Sequence, residues 1–290
     1  MTALRSMLFV PADSERKLAK AQDSRADVLI LDLEDAVAPA HKPAARLAAA
    51  GYIRDQAPVL SARLFVRINP LDSGLALGDL AAIVVPGLAG IMLPKTSSAA
   101  DIQRLALYLD ALEARAGLTA GAIAIVPVIT ETAQAMLTMH TFVPGIARLS
   151  GVTWGAEDLS TAIGAVSNRE ADGALSPLYV FANSLCLCAA ASAGVPAIDT
   201  LYADFKDAQG LALACRESRR RGFTGRIAIH PDQVDVINES YRPSETELAK
   251  AQRIVDAFAA QPDAGTLSLD GVMLDIPHLK QARRTLAQAG

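Results

Sequence analysis

Val28-Leu-Ile-Leu-Asp-Leu-Glu-Asp35 is a run of four apolar residues that ends in three acids within four positions. A strand that is apolar at every position is buried on both faces, as the strands of a parallel sheet covered by helices are. The pattern recurs at Met7–Val10, Leu64–Ile68, Gly90–Leu93, Ile123–Ile129, Gly151–Trp154, Val195–Asp199 and Arg226–Ile229. Between these runs lie alanine- and leucine-rich stretches with helical spacing, among them 14–24, 40–55, 99–115, 176–192 and 207–221. Eight strand-then-helix units in about 240 residues is the arithmetic of an α/β chain folded as a (β/α)8 TIM barrel. A doubly wound open sheet is the alternative.

The polar residues at the run ends favour the barrel. Leu64–Val66 leads into Arg67 and Asn69, Ile91–Leu93 into Lys95, and the fifth and sixth runs into Glu131 and into Glu157 and Asp158. The last two end at Asp199 and His230. A barrel brings all such ends to one face, where enzymes of this architecture keep their chemistry, whereas an open sheet spreads them along an edge. The barrel is expected over 1–243, followed by an extension over 244–290. The extension reads as an amphipathic helix over 244–260 with Ser244 as N-cap, a hairpin turning at Asp270-Gly271, and a last helix opened by Pro277. Such an appendage suits a lid or a contact with a neighbouring subunit.

Composition narrows the function. With 290 residues, 51% of them hydrophobic, the chain can bury a sizeable core. A net charge of -4 provides no global positive field for nucleic acid. Mean hydropathy is high at +0.27, but no apolar stretch reaches the roughly 18 residues of a membrane span. No secretory leader is visible, so a cytoplasmic protein is expected. Three cysteines, Cys186, Cys188 and Cys215, form no metal-type pair and fit buried thiols in a reducing compartment. Dinucleotide, P-loop, serine-hydrolase and zinc-protease signatures are all absent from the sequence.

What remains is a set of charged strand ends, each with two readings. Glu131 and Asp158 come from successive units and suit a hard cation such as Mg²⁺, which keeps waters and takes further ligands from an anionic substrate. Alternatively they support the N-termini of the helices that follow. Arg67 can grip a carboxylate and stabilise developing negative charge, or form a buried ion pair with Asp32 or Glu34. Lys95 offers the same choice between substrate and solvent. Asp32 and Glu34 share one side of an extended strand end and can orient Arg67, bind a metal-bound water, or cap a helix. His230 is a candidate acid or base, or a structural histidine bonded to backbone.

Taken in order, Arg5-Ser-Met-Leu-Phe-Val-Pro, Asp32-Leu-Glu-Asp-Ala-Val, Arg67-Ile-Asn-Pro, Leu93-Pro-Lys, Glu131-Thr-Ala, Gly155-Ala-Glu-Asp-Leu, Ala197-Ile-Asp-Thr and Ile229-His-Pro-Asp-Gln-Val resemble the citrate lyase β-subunit-like branch of the HpcH/HpaI aldolase superfamily. The resemblance runs from about residue 4 to Leu286. It implies a (β/α)8 barrel, commonly a homotrimer, that binds Mg²⁺ and makes or breaks a carbon–carbon bond in a 3-hydroxyacyl thioester. It further implies Glu131 and Asp158 as metal ligands, Arg67 as the substrate-binding and enolate-stabilising arginine, and Asp32 and Glu34 as acids behind them. Asp275, which by itself reads as a helix N-cap before Pro277, would act in proton transfer at an adjacent subunit's site. Two departures stand out. Ala182-Asn183-Ser184-Leu185 lacks two arginines common in the family, and Thr130 stands where isoleucine is common.

The function expected on these grounds is a Mg²⁺-dependent lyase of citramalyl-, citryl- or malyl-CoA type, releasing a keto acid and acetyl-CoA. The alternatives are a CoA-independent class II aldolase on free hydroxy-keto acids, a citrate lyase β-type subunit acting on a carrier-protein thioester, and a barrel that serves mainly as an interaction scaffold. Neither nucleic acid nor a membrane is expected as a partner.

Overall fold

The computed structural model describes residues 4–288, so the outermost positions of both expected ranges, 1–3 and 289–290, lie outside the described residues. Eight parallel strands form one sheet: β1 (Ser6–Pro11), β2 (Val28–Asp32), β3 (Arg63–Arg67), β4 (Leu88–Leu93), β5 (Ala124–Pro127), β6 (Val152–Thr153), β7 (Ala197–Asp199) and β8 (Gly225–Ala228). Their order is β5-β4-β3-β2-β1-β8-β7-β6. The two end strands meet through bridges Ile125–Leu149 and Val128–Thr153, so the sheet curls into a nearly closed barrel. An open sheet would leave these ends apart.

One residue set fills the interior: Met7, Val28, Ile30, Phe65, Met92, Val126, Ile198 and Ile227 are all buried in one cluster. They recur at every second position because strand side chains alternate faces. Gly90 of β4 makes room for the ring of Phe65, since a Cβ there would lie 2.3 Å from it. The alternate residues face the surrounding helices α1 (Glu15–Gln22), α2 (Lys42–Gln56), α3 (Ala76–Ile83), α4 (Ala99–Ala116), α5 (Ala133–Thr138), α6 (Glu157–Ile163), α7 (Pro177–Ala193), α8 (Ala208–Arg221) and α9 (Asp232–Ser240).

Residues Leu4–Asn238 form one compact unit, and the chain from Glu239 forms a second. In the second, α10 (Glu245–Ala259) starts at a capping box in which Ser244 and Glu247 bond each other's backbone N–H. Antiparallel strands β9 (Thr266–Leu269) and β10 (Val272–Asp275) turn at Asp270-Gly271, both with positive φ, the conformation a two-residue hairpin turn demands. With α11 (Ile276–Ala287) they enclose a small core that includes Phe258, Leu267, Leu274 and Leu279. No helix among the described residues is long and apolar enough to cross a membrane.

Cys186 and Cys215 are buried, and burial pushes both thiols up, that of Cys215 to about 11. Cys188 is exposed, contrary to the expectation of buried thiols, because it sits two positions from Cys186 on another face of α7.

Candidate active site

Arg67 closes β3 directly beside Asp32 of β2, its register partner. Its guanidinium takes Asp32 in a two-pronged bond, with Nε to Oδ1 at 2.8 Å and Nη2 to Oδ2 at 2.7 Å. Nη1 lies 2.9 Å from Glu34 Oε2, and the guanidinium carbon lies 4.5 Å over the ring of Phe9. The ion pair is therefore real and involves both acids. Two of the five guanidinium donors bond Asp32, while Nη1 faces Glu34 Oε2 as a charge contact without a hydrogen bond. Burial works to lower the Arg67 pKa, but the bonds to Asp32 and the charges of Glu34 and Asp35 outweigh it and hold the pKa above its ordinary value.

Lys95 is far from a solvated surface lysine. Its ammonium sits 2.6 Å from Glu34 Oε1, 3.2 Å from Asp158 Oδ1 and 3.8 Å from Asp35. Its backbone adopts φ 50°, a region that non-glycine residues occupy at a cost of about 1 kcal/mol or more and that clusters at functional sites. That turn aims the Lys95 N–H at Glu131 Oε2, 2.6 Å away. One residue thus links Glu34, Asp158 and Glu131.

Neither Glu131 nor Asp158 caps a helix. Thr132 caps α5 through the N–H of Ala135, and Ala156 precedes α6 without any side-chain cap. Glu131 is 6% exposed, whereas the Asp158 side chain is 31% exposed. Burial, helped by the charges of Asp158 and Glu34 and opposed by the Lys95 N–H, raises the Glu131 pKa. Gly155 is required here, because a Cβ on it would lie 2.9 Å from Glu131 Oε1. Glu34 is likewise raised by burial, against the pull of Arg67 and Lys95.

Five carboxylates, Asp32, Glu34, Asp35, Glu131 and Asp158, thus gather around two cations, Arg67 and Lys95. The excess of negative charge and the all-oxygen donors suit a hard divalent cation. No group of three or more His, Cys, Asp or Glu side chains among the described residues forms a closed metal cage. Two protein carboxylates with the remaining positions left to water and substrate is the arrangement Mg²⁺ tolerates best.

Of the other strand-end residues of the barrel, Asp199 and His230 do not join. Asp199 lies next to inward-facing Ile198 and so turns outward, where it accepts Trp154 Nε1 at 2.6 Å and Arg226 Nη2 at 2.5 Å. His230 stacks on Phe205 at 4.7 Å, and its Nδ1 accepts the Asp232 N–H at 3.3 Å, the structural alternative of its two readings. Asp275 caps α11 and bonds His278 Nδ1 at 2.5 Å; that bond holds its carboxyl below the ordinary range. In α7, Asn183 is buried and Leu185 half-buried.

Sequence reasoning missed the support behind Glu34. Lys42, buried on α2, donates to the carbonyls of Leu33 and Glu34, both at 2.8 Å, and to Asn69 Oδ1 at 2.7 Å. Asn69 in turn bonds Asp79, which pairs with Arg46. Lys42 falls on the buried face of a helix, and a lysine among buried alanines is the signal that could have found it.

The comparisons with known proteins agree with this geometry. Residues 5–231 match the HpcH/HpaI aldolase/citrate lyase family, and residues 192–290 match a family described as carbon–carbon bond lyases of the TIM-barrel fold. The citrate lyase subunit beta-like protein of Mycobacterium tuberculosis is 37% identical over 285 residues, covering 98% of this chain and 94% of that protein. The mitochondrial citramalyl-CoA lyase of Rattus norvegicus is 32% identical, covering 98% and 86%. The crystal structure of CitE from Mycobacterium tuberculosis with magnesium, acetoacetate and coenzyme A superposes with a TM-score of 0.77 at 34% identity, covering 99% of this chain and 98% of that one. The chain belongs to the HpcH/HpaI aldolase/citrate lyase family, and with it to the carbon–carbon lyases built on a TIM barrel.

Proposed function

We propose that the chain is a Mg²⁺-dependent lyase that cleaves a 3-hydroxy-3-carboxylate acyl-CoA of citramalyl, citryl or malyl type into a keto acid and acetyl-CoA. The observation that carries this reading is the buried Glu131 carboxylate held beside Asp158, in a cluster whose acids outnumber its cations. Glu131 and Asp158 would hold Mg²⁺, which would supply the positive charge that lowers the pKa of the substrate hydroxyl. The N–H groups that Arg67 does not give to Asp32 would meet the thioester oxygen and offset the charge of the enolate. Asp32 and Glu34 fix the guanidinium for that task. Lys95 holds Glu131 through its backbone and supplies positive charge for an anionic substrate. A relative named as a citramalyl-CoA lyase and a similar structure that holds coenzyme A support the substrate class.

The test is keto-acid release from citramalyl-, citryl- and malyl-CoA with Mg²⁺ or with EDTA. Turnover of one thioester, lost in EDTA and restored by Mg²⁺, is the expected result. The missing arginines at Asn183 and Leu185 favour a second reading, a CoA-independent class II aldolase on free hydroxy-keto acids. Turnover of the free acid with all three CoA esters ignored would replace the first reading by this one.

We further infer a homotrimer in which the extension over 244–290 carries Asp275 to a neighbour's site for proton transfer. Asn caps a helix about as well as Asp. Asp275→Asn is therefore expected to melt at the wild-type temperature while kcat falls about 10²–10⁴-fold, the usual worth of a general acid or base. Unchanged kcat would reduce Asp275 to its cap.

A further inference from the structure

Strands β5 and β6 are the two ends of the strand order, and their pairing is the thinnest in the barrel. β6 has two residues, and the last backbone bond across this seam runs from the Ile129 N–H to the Thr153 carbonyl at 2.9 Å. One step further along, a side chain takes over. Thr130 is fully buried, and its hydroxyl donates to the carbonyl of Gly155 and accepts the N–H of the same residue, both at 3.0 Å. A reciprocal pair on one peptide residue is what a strand neighbour would supply through its backbone, so the hydroxyl adds one rung to the ladder.

The position of that rung matters because of what leaves it on each side. Glu131 follows Thr130 directly. Asp158 lies three residues after Gly155, in the first turn of α6. The Glu131 carboxylate also lies so close to Gly155 that a Cβ there would be 2.9 Å from Oε1. Any slip of Gly155 against Thr130 therefore changes the spacing between the two carboxylates.

We propose that Thr130 is a positioning residue whose hydroxyl, by locking Gly155 across the β5–β6 seam, sets the separation of Glu131 and Asp158 and thereby the affinity for a divalent cation. The proposal rests on the reading of those two carboxylates as the metal ligands. It does not depend on which thioester is cleaved.

Calorimetric titration of the full chain with Mg²⁺ alone tests it, with thermal melting in parallel. Thr130→Val keeps the shape and removes the hydroxyl, and is expected to weaken Mg²⁺ binding about 10–100-fold, the usual cost of losing a group that orients a ligand. Thr130→Ser keeps the hydroxyl and is expected to restore the affinity. Ile129→Val trims the same strand end without touching a polar bond, and is expected to bind Mg²⁺ as the wild type does. Should Thr130→Val fail to fold, Thr130→Ala at a temperature below its melt carries the same expectation. Wild-type affinity in a folded variant without the hydroxyl overturns the proposal and leaves the lyase reading standing. So does equal weakening by Thr130→Ser or Ile129→Val. Absence of Mg²⁺ binding by the wild type overturns both together.

Discussion

Glu131→Gln is expected to lower Mg²⁺-dependent keto-acid release at least about 100-fold while the barrel stays folded. A bound metal supplies several kcal/mol of charge stabilisation, and each 1.36 kcal/mol is a factor of about ten in rate. The amide oxygen of Gln can still accept the Lys95 N–H that the carboxylate now accepts at 2.6 Å. What it cannot supply is the charge. In the metal-free protein that charge works against the fold. Burial and the neighbouring acids raise the Glu131 pKa, so stability is fullest below the ordinary carboxylate value and is lost as pH rises through the raised one. Gln does not ionise, so over that window the metal-free variant should be at least as stable as the wild type and less dependent on pH. Melting curves across pH in EDTA, with rate assays in Mg²⁺, check both halves. A variant that turns over at the wild-type rate would remove Glu131 from the metal site.

This opposition between stability and function explains why part of the site was legible in the sequence and part was not. Apolar runs ending in acids or bases revealed the strands and the face on which Asp32, Arg67, Lys95, Glu131 and Asp158 meet, because burial on both faces and convergence at strand ends follow from the barrel itself. The strand ends did not say which way a side chain turns. Asp199 closes a strand as Asp32 does, yet the alternation that puts Ile198 inside sends it outward to Arg226. Short helices were hidden for a related reason. Helices α5 and α6 have six and seven residues, too few for a helical period to stand out. Groups that act through the backbone left little pattern. Lys42 holds the Leu33 and Glu34 carbonyls and Thr130 holds both backbone groups of Gly155, and bonds to backbone groups are not recorded in a motif of side chains.

The same seam that Thr130 closes near the site is held at its other end by a buried ion pair, and Glu113→Ala is expected to cost about 3–5 kcal/mol of stability. Glu113, on α4, is fully buried and accepts the N–H groups of Gly121 and Ile123 at 2.8 and 2.9 Å, ahead of β5. It also takes both terminal nitrogens of Arg148, at 2.8 and 2.6 Å. The carbonyl of Arg148 in turn accepts the Ile125 N–H at 2.8 Å, across the gap between β5 and the segment leading to β6. Removing the carboxylate leaves a guanidinium whose side chain is 4% exposed with the exposed Asp110 and the Ile123 carbonyl as its remaining partners. For a large domain such a loss lowers the melting temperature by about 10 °C. The bond to Arg148, against the opposing effect of burial and with help from the two backbone N–H groups, pulls the Glu113 pKa down to about 2. Its contribution is thus present above the ordinary carboxylate value and is lost as pH falls through about 2. Calorimetric melts at pH 7 and near pH 3 should therefore show the gap between wild type and variant narrowing in acid. A loss below about 1 kcal/mol at pH 7 would mean that Arg148 is held by Asp110, its exposed partner at 2.5 Å, and that the seam does not depend on Glu113.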